Sequence, residues 1–71
     1  MPRRIEYHYG GAFPPPPDTV QIGQGAPVPE IGDTVHRHER DWTVANKTTN
    51  TLHPQGQEPI TTYLLELAPT G

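Results

Sequence analysis

The residues best suited to chemistry in this 71-residue chain are its four histidines. His36 and His38 lie two apart in VHRHERD, and on a strand that spacing sends both imidazoles to one face. His8 shares a face with Glu6 in RRIEYHY, and His53 falls in a polar stretch further on. Three converging imidazoles hold zinc well. If the strands carrying His8, His36 and His38 are neighbours, these three make a metal staple for a domain without disulfides. The surroundings argue otherwise. Arg37, Glu39, Arg40 and Asp41 read as exposed surface charge, so a solvated face without a cofactor is the expectation, with a pH-sensitive surface patch as a variant.

Other chemistry finds fewer residues to work with. The chain has no cysteine, which excludes thiolate metal sites, thiol nucleophiles and disulfides together. It has no serine either, so a Ser–His nucleophile is absent. GQGAP lacks the lysine and helix of a phosphate loop. Glu39 and Asp41 lie in a turn with no apolar pocket to raise a carboxyl pKa. A domain this short also has little room for a pocket of several hundred Å³. No enzyme is expected.

Phe13-Pro14-Pro15-Pro16-Pro17 is the other conspicuous stretch. It is similar to the short ligand read by EVH1 domains, and its prolines make a minimal PxxP for SH3-type grooves. The physics of that likeness is plain: a polyproline II segment docks at little ordering cost, and a phenylalanine ring fills an aromatic-lined groove. A structural role competes with it. Phe13 is the only phenylalanine, and burying it in a small core is worth about 1.5–3 kcal/mol. The favoured expectation is a stiff connector with Phe13 as a core anchor, and a displayed ligand is the alternative. Exposure of Phe13 decides between them.

Size and charge narrow the class further. Such a chain is one domain with a thin stability margin. A net charge of −3 argues against neutralising phosphates as a main task, although Tyr7, Tyr9, Trp42, Arg37 and Arg40 would be the set for a nucleic-acid-binding small barrel. No apolar run approaches the roughly 18 residues of a membrane span, and MPRRIEYHYGG has no apolar signal core. A cytoplasmic protein without a membrane is the default expectation.

Ten prolines and seven glycines leave no room for a long helix. Apolar residues alternate instead, in short runs bounded by Pro and Gly. Five strands are predicted: Arg4 to Tyr9, Thr19 to Ile22, Asp33 to His38 (turned by Glu39-Arg40), Trp42 to Thr49, and Ile60 to Leu67. Tyr7 and Tyr9 share a face, as do Trp42 and Val44, while Thr43, Ala45 and Lys47 share the face opposite those two. Val28 and Ile31 are expected to plug the end of the core. The last strand is apolar on both faces, Tyr63, Leu65 and Leu67 against Ile60 and Leu64, which marks a central strand.

Gly32-Asp33-Thr34-Val35, then Trp42-Thr43-Val44, then a hydrophobic final strand together resemble SH3-like small barrels, over residues 32–67. Those include KOW-type modules and small accessory proteins of bacteria and their phages. The first hairpin turn without glycine, and Arg37 where a barrel strand would often carry an aliphatic residue, depart from that pattern. The resemblance implies an architecture and no active-site residues.

The expectation is therefore all-β: a small five-stranded SH3-like barrel or two-layer sandwich. Residues 1–71 form one domain, with a first strand in 1–12, a Pro/Gly-rich connector with a short strand in 13–32, and a hairpin core in 33–68. Tyr7, Tyr9, Phe13, Val20, Ile22, Val35, Trp42, Val44, Tyr63, Leu65 and Leu67 are the predicted core. The expected role is binding another protein through His36, His38, Glu39, Arg40 and Asp41, as a monomer or as a homodimer paired along an edge in Thr43 to Thr51.

Overall fold

The computed structural model describes residues 2–70, and they form an all-β fold of five strands and no helix, a single sheet curled into a half-barrel. The strands are β1 (Arg3–Tyr9), β2 (Asp18–Ile22), β3 (Thr34–Arg37), β4 (Arg40–Leu52) and β5 (Ile60–Pro69). Their order across the sheet is β2-β1-β5-β4-β3. The central pair, β1 and β5, is parallel and joins the two ends of the chain, with Ile5 beside Tyr63, Tyr7 beside Leu65 and Tyr9 beside Leu67. The other pairs are antiparallel. The two-sided apolar pattern of β5 has its expected cause: it is the middle strand.

Alternation within each strand sorts the core. Ile5, Tyr7 and Tyr9 of β1, Trp42 and Val44 of β4, and Leu65 and Leu67 of β5 are all buried. Val20, Ile22, Val28, Val35 and Tyr63 pack around them. Two predicted members are not there. Phe13 is 93% exposed and Ile31 61% exposed. The reason for Phe13 lies in its neighbours: the chain leaves β1 through Gly10, whose N–H donates to the Leu67 carbonyl at 2.8 Å, and Gly11, at φ 106°. A Cβ on Gly11 would sit 3.0 Å from the Pro69 ring. This root swings the following residues outward, and Tyr9 and Trp42 already fill the end of the core that Phe13 would have entered.

A β-bulge re-aims half of β4. Val44 faces Leu67 and Asn46 faces Glu66, so Ala45 is the extra residue. Beyond it the alternation is reversed. Lys47, expected on the face away from Trp42, instead comes onto the core side opposite Leu65, its ammonium 5.6 Å from the Tyr63 ring centroid and 2.8 Å from Glu30 Oε1. The strand also runs three residues beyond its predicted end, to Leu52. The outer half of the β4–β5 hairpin makes the molecule long, 44 × 22 × 19 Å, with a radius of gyration of 13.0 Å. A compact chain of this length would have about 11 Å.

Candidate functional site

The β3–β4 hairpin turns at His38-Glu39, one residue earlier than the sequence pattern places it. Both residues have positive φ, 51° and 59°, as a two-residue type I′ turn demands. Neither is a glycine or an asparagine, so each carries a steric cost of about 1–2 kcal/mol. His38 recovers part of it. Its Nε2 lies 2.7 Å from Asp18 Oδ2, and Tyr9 meets its ring edge-on at 5.0 Å. Glu39 is exposed, with no side-chain hydrogen bond or ion pair among the described residues.

Asp18 is the centre of a polar cluster that draws the two outermost strands towards each other. The Tyr9 hydroxyl donates to Asp18 Oδ2 at 2.8 Å and accepts from Arg37 Nε at 2.9 Å. Arg37 Nη2 approaches the same carboxylate at 3.6 Å, and its guanidinium lies over the Tyr7 ring at 4.3 Å. Trp42 Nε1 donates to the Arg37 carbonyl at 3.0 Å. Arg37, read from sequence as exposed charge, is thus a half-buried closing element where an aliphatic residue was the pattern. Hydrogen bonds from Tyr9 and His38 hold the Asp18 carboxyl below its usual range. Burial, reinforced by Asp18, pushes the Tyr9 hydroxyl up. The sequence signal for this cluster is a pair of tyrosines at buried positions, since a buried hydroxyl needs a partner. Asp18, directly after the prolines, was the residue missed.

The histidines do not converge. His36 points outward to Asp41, Nδ1 to Oδ1 at 2.8 Å, on an exposed part of the hairpin. His8 lies 3.5 Å from Glu6 on its own strand. His38 has left the strand face for the turn. His8, His36 and His38 thus each have their own carboxylate, and among the described residues no group of three His, Cys, Asp or Glu side chains is placed to hold a metal ion. β1 and β3 lie two strands apart in the sheet, which removes the neighbour relation the metal reading required.

What the fold does bring together is the two stretches weighed separately in the sequence. Phe13-Pro14-Pro15-Pro16-Pro17 ends at Asp18, and Asp18 holds His38. The proline loop and the His38-Glu39-Arg40 turn are therefore stapled at one end of the half-barrel. Phe13, Pro14, Pro16 and Pro17 are exposed, Pro15 is half-buried, and Arg40 lies over the Trp42 ring at 5.0 Å. Both ends of the loop are fixed, by Gly10 on Leu67 and by Asp18 on Tyr9, while the ring at its tip touches solvent. A recess of about 130 Å³ lies elsewhere, lined by Pro2, Arg3, Arg4, Gln21, Ile22 and Ile60. Its Arg3 is occupied with the Gly23, Gln24 and Ala26 carbonyls, and Arg4 Nε donates to Thr62 Oγ1 at 2.9 Å.

Comparison with known proteins finds no matching family model, no matching curated protein and no matching solved structure.

Proposed function

We propose that this chain is a non-enzymatic protein-interaction module that presents Phe13 and its prolines to a partner protein. The observation that carries the reading is the exposure of the only phenylalanine, 93%, on a loop anchored at both ends. Burying that ring in a partner's groove would be worth about 1.5–3 kcal/mol. Four prolines fix φ throughout the segment, so little ordering entropy is lost on docking. The partner this suits has an aromatic-lined groove of the EVH1 or SH3 kind. Glu39 and Arg40, beside the loop, supply mixed charge that steers approach.

The strained turn supports the same surface. Glu39 holds a left-handed conformation where glycine would be easier, and its side chain makes no hydrogen bond or ion pair among the described residues. Strain kept without an internal return points to use outside the molecule. The curled sheet, including the part that resembles SH3-like small barrels, serves in this reading as a rigid mount, in keeping with a small cytoplasmic accessory protein of a bacterium or phage.

The test is paired capture from source lysate with native chain and Phe13→Ala as baits, followed by calorimetry on any protein recovered. A partner held by the native chain and weakened at least about tenfold by Phe13→Ala is expected. Recovery of the same proteins by both baits with equal affinity overturns the reading.

A further inference from the structure

The outer edge of β4 is only partly covered. β3 pairs with Arg40 to Thr43, and the segment before it bonds Val44, through Gly32 N–H to the Val44 carbonyl and Val44 N–H to the Asp33 carbonyl. Beyond Val44 the strand continues to Leu52 with β5 on one side and, among the described residues, no strand on the other. Which backbone groups face that open side follows from two bonds on β5. Leu67 turns its carbonyl to Gly10, and Thr61 turns its N–H to Pro2, so both point at β1 and away from β4. Their partners Val44 and Thr51 are then non-hydrogen-bonded pairs, and by alternation so are Lys47 with Leu65 and Thr49 with Tyr63. Lys47, Thr49 and Thr51 thus aim their peptide groups outward. Lys47 N–H is already occupied by Asn46 Oδ1 at 2.9 Å, whereas the described residues place no backbone partner at Thr49 or Thr51.

The edge also lacks the usual protection. From Thr48 to Leu52 it carries no charge and no proline, its side chains are exposed, and the ammonium of the nearest lysine, Lys47, is bound to Glu30. We propose that this edge pairs with a second copy of itself, antiparallel about a two-fold axis at Asn50. In that register Thr49 faces Thr51 of the second copy and Thr51 faces Thr49, and each pair exchanges both of its N–H···O bonds. Thr48 then lies opposite Leu52, and no like charges meet. The bulge and Asn46 end the pairing on one side and Pro54 on the other. Such a contact is smaller than the roughly 1,200 Å² of a stable interface, so the dimer is weak, with Kd on the order of 100 µM. A second copy is favoured over a foreign strand because the segment answers its own pattern of donors, acceptors and neutral side chains.

Sedimentation and amide NMR on the full chain, from about 20 µM to about 1 mM, test this directly. The expected result is a mass rising from 7.9 kDa towards twice that value, with concentration-dependent shifts confined to residues 48–52 and slowed exchange at Thr49 and Thr51. Thr51→Pro removes an outward N–H and weakens the dimer at least about tenfold. Should the proline disturb the hairpin, the double variant Thr49→Lys/Thr51→Lys decides, because it sets like charges opposite each other and abolishes the dimer while the dilute spectrum stays native. Phe13→Ala leaves dimerisation unchanged, which separates this surface from the proline loop. A monomer at every concentration, growth beyond a dimer into fibres, shifts centred on Phe13 instead of β4, or a dimer unchanged in the double lysine variant would each overturn the proposal.

Discussion

Trp42 and Phe13 are each the only residue of their kind, and the fold treats them in opposite ways. Trp42 is 1% exposed, tilted against Tyr9 at 4.8 Å, with Arg40 over its ring and its indole N–H bonded to the Arg37 carbonyl. Phe13, only four residues beyond Tyr9, faces solvent. The difference is one of backbone support. Trp42 lies on a paired strand whose alternation leaves it no other direction. Phe13 lies two residues after Gly11, a glycine at positive φ, and precedes four prolines, none of which has an N–H to donate to a ladder. Hydrophobicity alone ranks the two as equal candidates for the core, and chain geometry separates them.

Truncating both side chains should have very unequal effects. Trp42→Ala should cost about 3–5 kcal/mol and leave little folded protein, whereas Phe13→Ala should change stability by less than about 0.5 kcal/mol in urea denaturation. Equal losses would mean that the loop is packed and not displayed.

The cluster between the two regions comes next. Arg37→Met keeps an apolar stem on Tyr7 but removes the donor to the Tyr9 hydroxyl and the cation beside Asp18. A loss of about 1–3 kcal/mol is expected from the same denaturation curves. If Arg37→Met is neutral, the polar cluster does not close the half-barrel.

Relief of strain at the neighbouring turn should be smaller and opposite in sign. Glu39→Gly is expected to raise stability by about 1 kcal/mol, since glycine takes positive φ without a Cβ clash. The same change should weaken capture of the partner. Added stability with undiminished capture would remove Glu39 from the docking surface.

The smallest effect is a pH dependence. The Asp18 carboxyl titrates below its ordinary value in the fold, first because Tyr9 and then because His38 hydrogen-bonds the anion. Its contribution is therefore complete above the unfolded value of about 4 and is lost as pH falls through the folded one. Asp18→Asn should flatten the acid limb of the stability profile, and an identical limb in both proteins would show that Asp18 carries none of it. The staple linking loop and turn would open in the same window.

Much of the strand content was legible because alternation is a local property. Ile5, Tyr7 and Tyr9, Trp42 and Val44, and Leu65 and Leu67 each show their buried face within a few residues, and β5, apolar on both sides, declares itself central. The candidate site was legible only in pieces. His36, His38, Glu39, Arg40 and Asp41 are on the surface as expected, but no periodicity announces that Asp18, twenty residues before His38, would bind it. The bulge at Ala45 is equally silent, yet it reverses the facing of Lys47 and everything after it. Phe13 was misassigned because composition counts how many large apolar side chains a core would welcome, not which of them the backbone can deliver.

By itself, then, the order of residues determined the elements: where Pro and Gly end strands, which side chains share a face, and which chemistries are missing for want of cysteine and serine. The tertiary structure decided the rest. It set β1 parallel to β5, sent His8, His36 and His38 to three different carboxylates, turned Phe13 out, and left the far edge of β4 open. The physical reason is the range of the forces involved. Alternation and turn preference act between neighbours along the chain, whereas burial and pairing depend on which distant segments pack against one another in the folded sheet.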